Sequence, residues 1–317
     1  MKHLKRKQTT LIEEVATISK VSISFGNVTA IEDVSIQIRK GEIYGLIGPD
    51  GAGKTTLIRM MAGALDFDSG SITITGLDIS KQADQIRERI GYMPQSYGLY
   101  TDLTVEENLL FFARLFGVPK FRMSNRISEL LDFVRLSEFR NRRAGNLSGG
   151  MYKKLAIACS ILHEPQLLLL DEPTNGVDPV SRRDLWALLF SLVDNGVSVF
   201  VSTPYMDEAE RCHRVGFLYQ GELVSEGEPA ELLNKIEGQV FVYTCKNPST
   251  EITKIRSLLP DSALSAVQSD GIRIILREPI SKIDSKLSSK LKVTSPNIED
   301  LLMIVQAESE DSIEAVQ

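Results

Sequence analysis

The spacing of apolar and polar residues changes period several times along the chain, and each change marks an element. Alternation over 21–25 and 34–38 predicts two strands, and 71–75 predicts a third. The run Ile43 to Ile47 is apolar throughout, as in a strand covered on both faces, and beyond a glycine-rich stretch Leu57, Ile58, Met61 and Leu65 recur at helical spacing. From about Thr101 the period is helical. Thr104 and Glu107 form a capping-box pair ahead of an apolar set at Leu109, Phe112, Leu115 and Phe116. Ser124 is placed to cap a further helix carrying Ile127, Leu130, Leu131 and Val134. Strands return at 167–170 and 197–201, with a helix of Leu185, Leu188, Leu189 and Leu192 between them. Strand, helix and strand with wholly apolar strands predict a parallel sheet in an α/β domain.

A second unit is expected from Gly238. Its pattern is strand at 240–245, helix at 252–259, strands at 263–267 and 272–276, helix at 283–291 and a short strand at Val293. That order is β-α-β-β-α-β, and two readings stay open: a ferredoxin-like fold or an irregular α/β appendage. A last helix, 298–305, follows Pro296, and an acidic end from Glu308 is expected to fray. The expected division is a basic tail at 1–16, a main domain at 17–237 with a helical part at about 100–163, and an accessory α/β domain at 238–317.

A chain of 317 residues accommodates two such domains. Charged residues make up 25% and hydrophobic ones 43%, the balance of a globular protein, and no apolar run approaches the roughly 18 residues that span a bilayer. The basic start, Lys2 to Lys7, precedes no apolar stretch of the kind that a signal peptide needs; it reads as a solvated tail or a contact for anionic lipid headgroups. A net charge of −6 argues against a general nucleic-acid binder. Cys159, Cys212 and Cys245 have no C-x-x-C spacing, so neither zinc nor a disulfide framework is predicted, and a reducing compartment fits. His3, His163 and His213 are expected on the surface or in packing.

The chemistry starts between strand 43–47 and the helix after it. Gly48, Pro49, Asp50, Gly51, Ala52, Gly53, Lys54, Thr55 and Thr56 fit the phosphate-loop pattern G-x-x-x-x-G-K-[ST] in the strand-loop-helix setting that the pattern requires. Glycines let the backbone close on an oxyanion, amides at the helix start point at phosphates, Lys54 reaches the β/γ-phosphates, and Thr55 ligates Mg²⁺. A second strand ends in Asp171 and Glu172, the first suited to Mg²⁺ and the second to polarising an attacking water. Between these halves, Leu147, Ser148, Gly149, Gly150 and Met151 open another helix, with Ser148 as N-cap and a second anion-binding start.

Phosphate loop, Leu-Ser-Gly-Gly and Leu-Leu-Asp-Glu-Pro-Thr in this order resemble the ATP-binding cassette ATPases. The resemblance implies a RecA-like core with an antiparallel β subdomain and a helical subdomain, and a signature at 147–151 that contacts ATP held by a second cassette. It implies that Phe25 stacks on adenine, where a core Phe is the other reading, that Gln95 touches Mg²⁺ or the water, and that Asp178 lies in the loop crossing between cassettes. Arg142 and Arg143 fall near the permease-coupling element or form a solvated basic turn. The texture is closest to ABC-2 exporter subunits of the drug-resistance type, carried by 102–109, 205–210 and 296–301. One departure stands out: Pro204 occupies the position of the family's switch histidine.

The resemblance therefore implies a peripheral ATPase on the cytoplasmic face of the bacterial inner membrane, binding ATP with Mg²⁺. It would pair with a second cassette, as homodimer or heterodimer, and with an ABC-2 type integral-membrane permease, with no nucleic-acid partner. The rival expectation is a degenerate cassette that binds ATP but turns it over slowly, beside a competent partner.

Overall fold

The wholly apolar runs become central strands of a parallel sheet in the computed structural model, which describes residues 13–96, 98–260, 262–268, 271–283 and 285–314. Five strands of this six-stranded sheet run in the order Arg214–Tyr219, Ile43–Ile47, Ser198–Thr203, Leu167–Asp171 and Ile90–Met93, each parallel to its neighbour among them. Every residue of the strands at 43–47, 167–171 and 198–203 is buried, as expected of strands covered on both faces. The two alternating segments near the N-terminus are longer than the alternation predicts. Glu14–Phe25 and Val28–Arg39 pair antiparallel, and Ser69–Ile74 and Leu77–Asp78 extend that sheet. Their register shifts at Lys20 and Asp33, both at positive φ, break the strict period of two that a sequence reading needs. Helix Lys54–Met61 belongs to the same core as both sheets: Leu57, Ile58, Met60 and Met61 cluster with Ile18, Val34, Leu46 and Leu169.

Three helices, Val105–Leu115, Lys120–Phe133 and Gly149–Ser160, form the helical part. The capping box at Thr104 and Glu107 is present. The expected apolar face of the first helix needs correction, because Leu115 is 65% exposed and Phe116 is also exposed. Its covered side is Val105, Asn108, Leu109 and Ala113. Asn108 donates to Tyr100 O and Thr104 O and accepts from Tyr100 N, so a buried polar residue, invisible to a hydrophobic pattern, turns that helix. Ser124 caps nothing: the next helix begins at Lys120 after Pro119, whose fixed φ suits a chain entering a helix.

The chain separates into two units, the first holding the described residues up to Tyr205 with Cys212–Leu223, the second holding Met206–Arg211 and the chain from Val224 onward. The second unit thus starts earlier than Gly238 and takes in a short excursion after Tyr205. Its four strands, Gln239–Thr244, Leu264–Gln268, Gly271–Leu276 and Leu291–Thr294, pair antiparallel in the spatial order second, third, first, fourth. With helix Pro248–Arg256 in the first connection, this is the ferredoxin-like order and not an irregular appendage. The helix expected at 283–291 is instead a 3₁₀ turn, Ile280–Lys282, and a single turn, Ser285–Ser288, because Ile283 between them is extended. The last helix reaches Glu314, past the point where fraying was expected. It is anchored by the buried pair of Arg273 and Asp300, with Nε to Oδ1 at 2.6 Å and Nη2 to Oδ2 at 2.8 Å. The basic start, His3 included, and the last three residues lie outside the described residues. Among the described residues no helix is long and apolar enough to cross a membrane.

Candidate functional site

Parallel pairing brings the loops after four strands to one edge of the sheet. Ile47 is level with Thr203, Asp171 with Ser202 and Met93 with Leu170, so the segments starting at Gly48, Glu172, Pro94 and Pro204 emerge together. The edge beyond the carboxyl ends of parallel strands is where α/β sheets bind ligands. In the loop from Gly48 to Gly53 the glycines are required by geometry. Gly53 has φ 107°, and a Cβ there would meet Ala30 O at 2.5 Å; one on Gly48 would run into Leu218 O. Helix Lys54–Met61 follows with its first amides facing this loop.

Lys54 is buried, and its Nζ donates to Gly48 O at 2.8 Å and Pro49 O at 2.9 Å. Burial lowers its pKa, and Glu172, Asp50 and Asp171 oppose that shift. Thr55 donates from Oγ1 to Asp171 Oδ1 at 3.1 Å, joining the two sequence motifs 116 positions apart. Ser202 donates to the same oxygen at 2.7 Å and accepts from Glu172 N at 3.0 Å. Asp171 Oδ2 is buried and without a hydrogen-bond partner. An orphaned carboxylate oxygen beside a threonine hydroxyl is the donor set of a hard cation, so the residues present fit Mg²⁺.

Glu172 is buried, with φ 48°, a strained setting for a residue with a side chain. Its Oε2 accepts from Gln95 Nε2 at 2.8 Å and from Asn175 Nδ2 at 3.0 Å. Lys153 stands behind this group: its Nζ donates to Gln95 O at 3.4 Å, and its pKa is lowered by burial against the pull of Glu172 and Asp171. The arrangement can neutralise a polyphosphate, seat a cation and hold one carboxylate at a fixed angle.

The other expected residues fall in a different group. Ser148 accepts from Met151 N at 3.3 Å and so caps helix Gly149–Ser160, which opens with Gly149 and Gly150 and follows Leu147. A Cβ on Gly150 would run into Ser181, so this glycine sets how closely the helix approaches Pro179–Asp194. Asp178 caps that second helix, accepting from Val180 N and Ser181 N, each at 3.0 Å. Its pKa is lowered, first by a hydrogen bond with the Ser181 side chain and then by those backbone bonds. Phe25 ends its strand 52% exposed, which removes the core reading. Pro204 leaves the strand at Thr203, and Tyr205 N donates to Thr203 Oγ1 at 3.1 Å. His163 and His213 have packing roles: His163 stacks on Phe116 with centroids 4.3 Å apart, and His213 Nδ1 accepts from Ile43 N.

Sequence reasoning missed Ser202, Asn175, Lys153 and Tyr205. Asn175 carried a faint signal, three residues past Glu172 in the same turn. Ser202 joins the site only through strand pairing, which no local pattern reveals.

Residues 31–175 match the family model described as ABC transporter. The chain is 42% identical over 277 residues to a probable multidrug ABC transporter ATP-binding protein, YbhF, of Escherichia coli K12. That match covers 86% of this chain and 48% of the relative, so the chain spans about half the length of that protein. It is 35% identical over 238 residues to the linearmycin resistance ATP-binding protein LnrL of Bacillus subtilis strain 168, covering 74% of this chain and 76% of that one. Among solved structures, a dimeric ATP-binding cassette in a post-hydrolysis state bound to ADP and Pi aligns with TM-score 0.60 at 26% identity, covering 67% of this chain and 98% of that one. With the phosphate loop, the strand-end carboxylates and the signature helix on one fold, the chain belongs to the ABC transporter family as an ATP-binding cassette.

Proposed function

We propose that the chain binds and hydrolyses ATP as the cassette subunit of an ABC-2 type exporter, on the cytoplasmic face of the bacterial inner membrane. The observation that carries this reading is Glu172, buried at a strand end and held by Gln95 and Asn175 beside the Thr55 to Asp171 hydrogen bond. Lys54 exchanges its loop carbonyls for phosphate oxygens, and Glu172 orients the attacking water in line with the γ-phosphate. Thr55, Asp171 and Gln95 would hold Mg²⁺, whose charge offsets that of the polyphosphate when bound. Phe25 offers its exposed ring to adenine. Residues 147–151 and Asp178 face a second cassette, and a membrane permease completes the transporter. Export is supported by the drug-resistance and multidrug names of the relatives.

The test is steady-state ATP hydrolysis with parallel nucleotide binding. Glu172→Gln keeps ATP affinity, slows turnover by about a hundredfold or more, and accumulates a closed dimer seen by light scattering. Normal turnover in a variant that stays monomeric in every nucleotide state would reject the assignment.

Pro204 favours a second reading, a cassette that binds well and turns over slowly beside a competent partner. Proline supplies neither a ring nitrogen nor a backbone N–H at this position. A gain in rate in Pro204→His supports that reading. Vigorous turnover by the unmodified protein with no gain in the variant removes it.

A further inference from the structure

The hydrogen bonds around Glu172 have a forced direction. A carboxylate only accepts, so Asn175 must turn its NH₂ group toward Oε2, which it meets at 3.0 Å. That leaves Asn175 Oδ1 pointing away, and Tyr205 Oη stands 3.4 Å from it. A carboxamide oxygen also only accepts, so the phenol must be the donor. The chain of protons therefore runs from Tyr205 to Asn175 to Glu172.

Tyr205 is itself held from several sides. Its N–H donates to Thr203 Oγ1, and the guanidinium of Arg182 lies over its ring at 4.1 Å. Arg182 belongs to the helix that Asp178 caps. Pro204, with fixed φ, joins Tyr205 to the strand whose Ser202 binds both Asp171 and Glu172. The backbone of Tyr205 thus rests on the strand that the site uses, and its ring on helix Pro179–Asp194. Because Gln95 and Asn175 both occupy Oε2, the other carboxylate oxygen is the one left to accept from water.

We propose that Tyr205, acting through Asn175, is a positioning residue for Glu172. The relay fixes the rotamer of the carboxylate and spreads its charge, in a chain whose residue 204 is proline and has no side-chain donor to contribute. Tyr205 touches neither substrate nor reacting atoms. This inference rests on the ATPase reading above.

The experiment measures kcat and KM for ATP hydrolysis by the full chain, Tyr205→Phe, Asn175→Ala and the double variant. Binding of a fluorescent ATP analogue and thermal melting are measured on the same preparations. Phenylalanine keeps the ring beneath Arg182 and removes only the donor. Tyr205→Phe is expected to lower kcat about tenfold, the scale seen when an outer partner of a site residue is lost, with KM and analogue affinity unchanged. Asn175→Ala loses at least as much, and the double variant is no slower than Asn175→Ala, because both changes break one chain. Unchanged kcat in Tyr205→Phe, or losses that multiply in the double variant, would overturn the relay. A lower melting temperature with a matching loss of analogue binding would assign Tyr205 to folding instead. The two readings fail separately. Wild-type turnover that Glu172→Gln abolishes and Tyr205→Phe leaves intact sinks the relay alone, whereas a wild-type protein with no turnover sinks the ATPase reading and the relay with it.

Discussion

Lys54 shows how one residue can be held ready for a ligand. Only 4% exposed, its ammonium is satisfied by two carbonyls of its own loop, and three carboxylates offset the cost of its burial. Phosphate oxygens are stronger acceptors than these carbonyls, so the amine has a reason to exchange partners. Lys54→Ala is expected to weaken ATP binding by about tenfold to a hundredfold, the range for a hydrogen bond to a charged group. Titration of a fluorescent nucleotide reads this directly, and unchanged affinity would reject the assigned loop. At this scale the sequence was informative wherever a side chain's role depends on its own segment. Lys54 and Thr55 follow a glycine loop, and Asp171 and Glu172 end an apolar strand. Ser202 and Asn175 bind the same carboxylates, but their roles depend on neighbours in space.

At the scale of elements, the start of helix Gly149–Ser160 serves two purposes. Ser148 caps it as expected, while Gly150 permits close approach to Ser181 on helix Pro179–Asp194. Gly150→Ala should therefore destabilise the protein by about 1–3 kcal/mol, the usual cost of overpacking a tight contact. Ser181→Gly in the same protein should recover part of that loss by removing the opposing atoms. Thermal denaturation of the single and double variants checks the expectation, and an unshifted melt in Gly150→Ala would show that the helices adjust freely. The capping box at Thr104 and the cap at Ser148 were legible because they need only four consecutive residues, whereas Ser124, expected to cap, lies inside a helix that starts at Lys120. The covered face of Val105–Leu115 was not, since Asn108 anchors it by polar contacts that hydrophobic periodicity does not register.

At the scale of the whole molecule, Lys54, Thr55, Asp171, Glu172 and Gln95 all lie in the first unit, and the second has its own core of Phe241, Ile255, Ile272 and Ile274. Among its described residues the second unit carries no glycine-rich phosphate loop. Removing the residues after Gly238 is therefore expected to spare ATP binding. Loss of binding in a truncated protein that still melts cooperatively would contradict this.

What the sequence determined by itself was the set of parts: buried strands, a glycine loop, capped helix starts and a β-α-β-β-α-β order. Each is written in contiguous residues, where period, steric limits and capping act over a few positions. The tertiary structure decided how those parts meet. It set the level of Asp171 against Ser202 and of Ile47 against Thr203, the bend of Glu172 toward Gln95 and Asn175, and the order of strands in the second unit. It also decided that the helix expected at 283–291 would shrink to single turns around an extended Ile283. Strand register and cross-strand hydrogen bonds join residues far apart in the chain, and they are selected by burial of the whole sheet, a condition no local segment contains.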